Sequence, residues 1–205
     1  MQQDLFPQAF DRCWQLPDGT LELIPDFLPE QLHNSLFDQL VDYLEWEQSW
    51  ITIAGKRIKI PRLNAWYGDM NVAYHYSGTR FQARPWTDPL IRVRNLIQQQ
   101  SGQNFNSVLA NLYRDGQDSV AWHADDEPEL GRDPFIASLS LGQVRRFQLK
   151  HRHDKTLSRI DIDLVDNALL LMGGSLQHNW IHQVPKTRKA VGPRINLTFR
   201  WVHPA

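Results

Sequence analysis

Arg194-Ile195-Asn196-Leu197-Thr198-Phe199-Arg200-Trp201, close to the C-terminus, is the stretch that decides how the rest of the chain is read. Polar and apolar residues alternate along it without a break, the period of a β-strand. Arg194, Asn196, Thr198 and Arg200 share one face; Ile195, Leu197, Phe199 and Trp201 share the other. An ordinary half-buried strand would turn its polar face to water. This polar face carries two guanidinium groups, which grip carboxylates bidentately, and two short hydrogen-bonding side chains. Inside a barrel it would form a receptor for a dicarboxylate.

Upstream, the second half of the chain divides into short strand-like runs. They are Val108–Tyr113, Val120–His123, Ile136–Leu141, Phe147–Leu149, Ile160–Leu164 and Ala168–Met172, with turn residues between them. The first half is more helical. Leu32, Leu36, Leu40 and Leu44 recur every four residues behind Pro29, which predicts one helix. Leu90, Val93 and Ile97 share a face of a second, expected from Pro89 to about Gln100 with Asp88 as its cap. Between the helices, Trp50–Ile53 and Ile58–Ile60 flank Ala54-Gly55-Lys56, a hairpin with glycine in its turn. Residues 1–28 read as irregular chain with short extended pieces, Leu21 to Ile24 among them. Short strands behind a helical front point to an α+β, mainly β fold: a sandwich or jelly roll with helices packed on one side.

His123-Ala124-Asp125 places two metal-ligand types at i and i+2, on one face if the strand continues through them. His178 and His182 both qualify as a third ligand. Two histidines and one carboxylate on one face of an iron leave three positions open for a bidentate cosubstrate and dioxygen. Alone, His-x-Asp is as readily a surface turn. Combined with the arginine strand, it accounts for both ends of a bound 2-oxoglutarate, the chelating keto acid and the distal carboxylate. A zinc hydrolase could use the same three ligands, but it would have no need of the arginines.

Composition sets few limits. The 205 residues suit one domain, with 41% hydrophobic and 22% charged residues as in ordinary globular proteins. The single cysteine, Cys13, excludes an internal disulfide framework and suits a reducing compartment. The first residues lack the basic and apolar regions of a signal peptide, and the apolar run near Ala168–Met172 is too short to span a bilayer. A cytoplasmic protein with no membrane partner is expected. The net charge of −1 is unlike that of a typical nucleic-acid binder. Yet the cations cluster: Lys56, Arg57, Lys59 and Arg62 in one group, Arg145, Arg146, Lys150, Arg152 and Lys155 in another. Such groups are often solvated faces, but two on a small domain would suit phosphate contact.

With these motifs on the page, the chain resembles the AlkB family. The resemblance runs through Pro61-Arg62, Ala65-Trp66-Tyr67-Gly68-Asp69, Asn111-Leu112-Tyr113, Trp122 to Glu127, Ile136 to Gly142, Trp180-Ile181-His182 and Arg194 to Arg200. It covers about residues 50 to 202 and is closest to the branch acting on alkylated DNA. It implies a double-stranded β-helix core over 105–203, an N-terminal extension and helix over 1–48, and a hairpin forming a substrate lid over 49–86. It implies iron(II) held by His123, Asp125 and His182, with His178 left to structure. It implies 2-oxoglutarate held by Asn111, Tyr113, Arg194, Asn196 and Arg200, with dioxygen as co-reactant. Tyr74 and Tyr76 match positions that stack on a flipped base, Glu127 a position that helps read it, and Arg62 a phosphate or substrate-side contact. The plain alternatives are sheet tyrosines, one more loop acid and a solvated arginine.

The implied reaction hydroxylates the carbon on an alkylated base nitrogen, such as 1-methyladenine or 3-methylcytosine, and releases formaldehyde. The implied partner is alkylated DNA or RNA, bound by a monomer. Duplex-active members of the family fill the extruded base's place with a bulky apolar residue from the hairpin. Here that position matches Ala54, or Ile53 if the register differs by one, so single-stranded substrate is expected. The competing readings are a 2-oxoglutarate oxygenase for proteins or small molecules, and a non-catalytic nucleic-acid-binding domain. The intact His-x-Asp, His182 and both arginines argue against the latter.

Overall fold

The computed structural model describes residues 12–203 except 54, 71, 77 and 78; for 12, 51–53, 73–76 and 79–82 it describes the backbone only. In chain order the strands are β1 (Arg12–Leu16), β2 (Gly19–Ile24), β3 (Trp50–Ile53), β4 (Lys56–Lys59), β5 (Leu63–Gly68), β6 (Ala73–Tyr76), β7 (Thr79–Gln82) and β8 (Arg84–Pro85). They continue as β9 (Ser107–Tyr113), β10 (Val120–His123), β11 (Ile136–Gly142), β12 (Arg145–His151), β13 (Ile160–Leu164), β14 (Ala168–Gly173), β15 (Trp180–Val184) and β16 (Arg194–Arg200). The helices are α1 (Glu30–Tyr43), α2 (Asp88–Ser101) and the single turn α3 (Leu176–Asn179).

Two sheets face each other. The larger has eight strands in the order β1-β2-β14-β11-β16-β9-β5-β8; the smaller has four, β10-β15-β12-β13. This is the double-stranded β-helix, or jelly roll, that the AlkB resemblance implies, and one of the two architectures that the strand spacing left open. The strand β16 lies in the middle of the large sheet, antiparallel to both β11 and β9. Its alternation sorts it between two cores. Ile195, Leu197 and Phe199 enter a core that the large sheet shares with the helices, including Leu36 and Leu40 of α1 and Leu90, Val93 and Ile97 of α2. Between the two sheets lies a second core, with Trp66, Phe147, Leu149, Met172 and Trp180. The polar side of β16 faces this interior. Trp201, read as the end of the apolar row, lies past the strand and is 42% exposed.

Several boundaries differ from the sequence reading for local reasons. Asp88 is the first residue of α2, not its cap; Thr87 holds the N-cap position, without a side-chain cap bond. Gly102 closes that helix in the left-handed conformation, φ +67°, which glycine adopts without strain. Lys56 begins β4 instead of lying in the turn, directly after Gly55 at φ +76°. Residues 12–24 are less irregular than expected, while residues 1–11 lie outside the described residues. β1 and β2 form a hairpin, and β2 pairs with β14 to extend the large sheet. That sheet also takes β5 and β8, so it draws strands from all three expected segments. Among the described residues, no helix is long and apolar enough to cross a membrane.

Candidate active site

The small sheet supplies the metal-binding side chains. His123 ends β10 and His182 lies on β15, and the two are direct cross-strand partners with ring centres 4.3 Å apart. Asp125 lies beyond the end of β10, so it is not placed by strand alternation. Its backbone N–H donates to Gln177 Oε1 at 3.0 Å, which fixes the loop. One ligand atom from each of His123, Asp125 and His182 lies within 4.8 Å of the others. His178, the other candidate, sits on α3 near Asp133, outside this cluster.

The protonation states suit a metal. Nδ1 of His123 lies 2.9 Å from the Ala121 carbonyl, an N–H donation that leaves Nε2 as the free lone pair. Burial depresses the His123 imidazole below its usual range, against the pull of Asp125. Burial pushes His182 down to about 3, so it is neutral at physiological pH. Burial alone would raise Asp125, but the charge of Arg200, both histidines and the Arg200 hydrogen bond bring it to about 2. Two neutral imidazoles and an ionised carboxylate are the ligating forms. The buried Nδ1 of His182 has no hydrogen-bond partner among the described residues.

The large sheet forms the opposite wall. Asn196 pairs with Asn111, and Asn111 with Asn64, setting three asparagines side by side across β16, β9 and β5. All three line one cavity with His123, Asp125 and His182. Asn196 Nδ2 donates to Ser138 Oγ at 3.0 Å. Arg200 Nη2 donates to Asp125 Oδ1 at 2.8 Å, both side chains being 5% exposed. Arg194 is fully buried beside its partner Tyr113, the guanidinium 5.2 Å from the ring centre. Arg194 Nη2 donates to Ser140 Oγ, but its Nε and Nη1 have no partner among the described residues. Burial brings its pKa down to about 10, still charged at neutral pH. A buried guanidinium with unused N–H groups is costly unless an anion completes it.

The remaining sequence candidates are placed differently. Arg62 is 7% exposed and lines the cavity, so it is not a solvated arginine. Its Nε donates to Asn111 Oδ1 at 2.7 Å and its Nη1 to the Ser119 carbonyl. That bond occupies the Asn111 oxygen and leaves its amide N–H groups for other acceptors. Glu127 is half-buried before a short 3-10 turn, Pro128–Leu130, and is not among the cavity-lining residues. Tyr74 and Tyr76 lie on β6, paired with β7; their side chains, like Ala54 as a whole, lie outside the described residues.

The two basic clusters also separate. Lys56, Arg57 and Lys59 on β4 are exposed, with Arg57 and Lys59 flanking the exposed Trp50 ring at 5.0 and 5.3 Å. The second cluster is largely engaged in the fold. Arg145 is buried, Arg146 pairs with Asp163, Arg152 pairs with Asp126, and Lys150 lies over Trp122.

Gln177 was not evident from sequence, because α3 is too short to show a periodic pattern. It is fully buried and holds the Asp125 loop. Gln177→Leu should therefore fold, lose about 1–3 kcal/mol through the unsatisfied Asp125 N–H, and bind metal about 10–100-fold more weakly. Thermal melts and metal titration would check both; unchanged metal affinity would contradict the role.

A facial set of two histidines and a carboxylate, opposite a buried arginine wall in a double-stranded β-helix, defines a class: non-haem iron proteins that take a 2-oxo acid. The sequence profile of the 2OG-Fe(II) oxygenase superfamily matches residues 20–200. The alpha-ketoglutarate-dependent dioxygenase alkB homolog 3 of Bos taurus is 42% identical over 190 residues, 89% of this chain and 66% of that protein. The DNA oxidative demethylase ALKBH2 of Mus musculus is 35% identical, over 82% of this chain and 72% of that protein. The solved structure of OsALKBH1 matches with a TM-score of 0.58 at 16% identity, covering 93% of this chain and all of that one. A prolyl hydroxylase from Trichoplax adhaerens, in complex with a hypoxia inducible factor peptide fragment, matches with a TM-score of 0.59 at 15% identity, over 89% and 83%. At these identities the structural likeness speaks for the fold alone. The chain belongs to the AlkB family of 2OG-Fe(II) oxygenases. It spans a little under two thirds, 66%, of the length of the alkB homolog 3 relative.

Proposed function

We propose that this chain is an iron(II)- and 2-oxoglutarate-dependent dioxygenase that removes alkyl groups from damaged bases, in single-stranded DNA by preference and in RNA as a further substrate. The observation that carries this reading is one cavity lined by a ready metal-ligand set and by Tyr113, behind which the buried Arg194 lacks an anionic partner among the described residues. His123, Asp125 and His182 would hold the iron. Arg194 and Tyr113 would hold the distal carboxylate of 2-oxoglutarate, with Asn111, Asn196 and Arg200 completing its pocket. When bound, iron with 2-oxoglutarate and dioxygen supplies oxidation of an alkyl C–H bond, the keto acid leaving as succinate and carbon dioxide.

The chain's own residues place and protect that chemistry. Leu109, Phe147, Met172 and Val184 give the cavity apolar walls that exclude water. The oxidation so supplied would leave a hydroxyl group on the alkyl carbon, the second oxygen atom being carried away in succinate. The hydroxymethyl group on the cationic base nitrogen would then collapse, the C–N electron pair returning to the nitrogen and the O–H proton passing to solvent as formaldehyde leaves.

The substrate assignment draws on the relatives, named as DNA oxidative demethylase and alkB homolog 3. The surface agrees with it. Ser49 and Ile60, which flank the β3–β4 hairpin, line the cavity, so this exposed hairpin with Trp50, Lys56, Arg57 and Lys59 rises from its rim. An aromatic ring among cations suits a nucleic-acid strand. Tyr74 and Tyr76 would stack on the cationic alkylated base, and Glu127 would help read it. We place the protein in the cytoplasm as a monomer, on its single cysteine and standard domain size.

The test uses oligonucleotides carrying one 1-methyladenine or 3-methylcytosine, single-stranded and duplex, with mass readout. We expect loss of one methylene unit that depends on iron and 2-oxoglutarate, faster on the single strand. Succinate formation with no change in any strand would move the substrate to proteins or small molecules. Equal rates on both strand forms would remove the Ala54 argument.

A further inference from the structure

Arg145 is as buried as the site's own arginines and, like Arg194, is not among the residues that line the cavity. It opens β12 at 3% exposure. Its Nη1 donates to the Asp115 carbonyl at 3.0 Å, and its Nη2 to the carbonyls of Asp118 and Pro185 at 2.8 Å each. Those acceptors lie in the β9–β10 loop, which leaves from Tyr113, and just after β15, which carries His182. Its guanidinium is 5.5 Å from the centre of the Tyr113 ring, and Arg194 is 5.2 Å from the same centre.

All three acceptors of Arg145 are neutral. Among the described residues it has no ion-pair partner: the Asp118 carboxylate is held by Arg114 in two bonds of 2.8 and 2.9 Å, and Asp115 Oδ1 accepts from Gln117 N–H. Tyr113 therefore lies between two buried guanidiniums, neither in a direct ion pair among the described residues, although the Asp118 and Asp115 carboxylates act on Arg145 at longer range. The charge of Arg145 adds to burial in lowering the pKa of Arg194. Two like charges in a low-dielectric interior are unfavourable unless an anion joins them.

We propose that Arg145 is a positioning residue for the cosubstrate: it holds Tyr113 against Arg194 and supplies a second positive charge at the far end of the pocket, so that the site selects a 2-oxo dicarboxylate over a 2-oxo monocarboxylate. This rests on the 2-oxoglutarate reading above. Arg145 touches neither the metal ligands nor the cavity, so its influence passes through Tyr113 and through long-range charge.

The experiment compares 2-oxoglutarate with 2-oxopentanoate, which has the same chain length but a terminal methyl group in place of the distal carboxylate. Binding of each to anaerobic iron(II)-loaded protein is measured by calorimetry, with iron content checked. Arg145→Gln keeps a donor for a backbone carbonyl and removes the charge. It should weaken 2-oxoglutarate by about tenfold or more, the worth of one charge-assisted contact, and change 2-oxopentanoate little. Arg145→Lys keeps the charge without the three-carbonyl fork, and should lose part of the preference. Equal weakening of both acids, or none, would reduce Arg145 to a loop staple and overturn the proposal. If Arg145→Gln does not fold, Arg145→Lys decides alone: a preference undiminished from wild type overturns it. If the wild-type protein itself shows no preference for 2-oxoglutarate, the underlying cosubstrate reading fails instead.

Discussion

His182→Ala should yield a folded protein that retains almost no iron and gives no turnover. The imidazole is 5% exposed, faces His123 across two strands, and lies against Phe147 with ring centres 5.2 Å apart. Among the described residues no other histidine joins the cluster, since His178 is on α3 beside Asp133. Removing a residue that merely orients a ligand costs about 10–100-fold in metal affinity or activity. Removing a ligand itself should cost more, and leaves only His123 and Asp125. Truncating the side chain also opens a small void, so a lower melting temperature is expected without loss of the fold. The measurement is metal content by mass spectrometry after anaerobic loading, alongside 2-oxoglutarate turnover. Stoichiometric iron and wild-type turnover in the purified variant would sink the ligand assignment.

Arg200→Ala should damage cosubstrate and metal binding together. The arginine reaches into both: it lines the cavity from β16 and donates to Asp125 Oδ1 at 2.8 Å. Deleting one member of a buried ion pair costs about 3–5 kcal/mol, because the other charge is left without compensation. On a binding constant that is two to three orders of magnitude. Without the guanidinium, burial would raise the Asp125 carboxyl from its depressed value, favouring the protonated form that ligates poorly. The 2-oxoglutarate concentration for half-saturation should therefore rise about a hundredfold or more, and iron should bind more weakly at mildly acidic pH than at neutral pH. Arg200→Lys should recover part of both effects. Titrations of each ligand at two pH values would show it. A variant with normal cosubstrate and metal affinity at both would mean that Arg200 serves only to hold the sheet.

The sequence was most legible where a short pattern coincided with a whole element. The alternation of 194–200 placed β16 and both of its faces, and Leu90, Val93 and Ile97 found the buried side of α2. Val120–His123 and Ile160–Leu164 match β10 and β13 to the residue. What stayed hidden depended on distant partners. β1 and β2 become regular because β14, some 150 residues away, offers an edge to β2. The basic run at 145–155 read as one patch, but strand alternation sends Arg145 inward and Arg146 outward to Asp163. Arg62 looked like surface charge, and its burial is set by Asn111 and Ser119, which are remote in sequence. Asp125 was placed by strand periodicity, whereas a backbone bond to Gln177 places it in fact.

The two-faced strand β16 has a consequence for how the chain reaches its native state. Because successive side chains point to opposite sides, sliding β16 by one residue between β11 and β9 would turn every side chain over. Arg194 and Arg200 would then enter the layer packed on the helices, among Leu36, Leu90 and Ile97, while Ile195, Leu197 and Phe199 would crowd among the asparagines. Each uncompensated guanidinium in that layer would cost several kcal/mol. The residues that equip the interior for an anionic ligand thus also act as a register check, rejecting misaligned assemblies of the central sheet before any ligand is present.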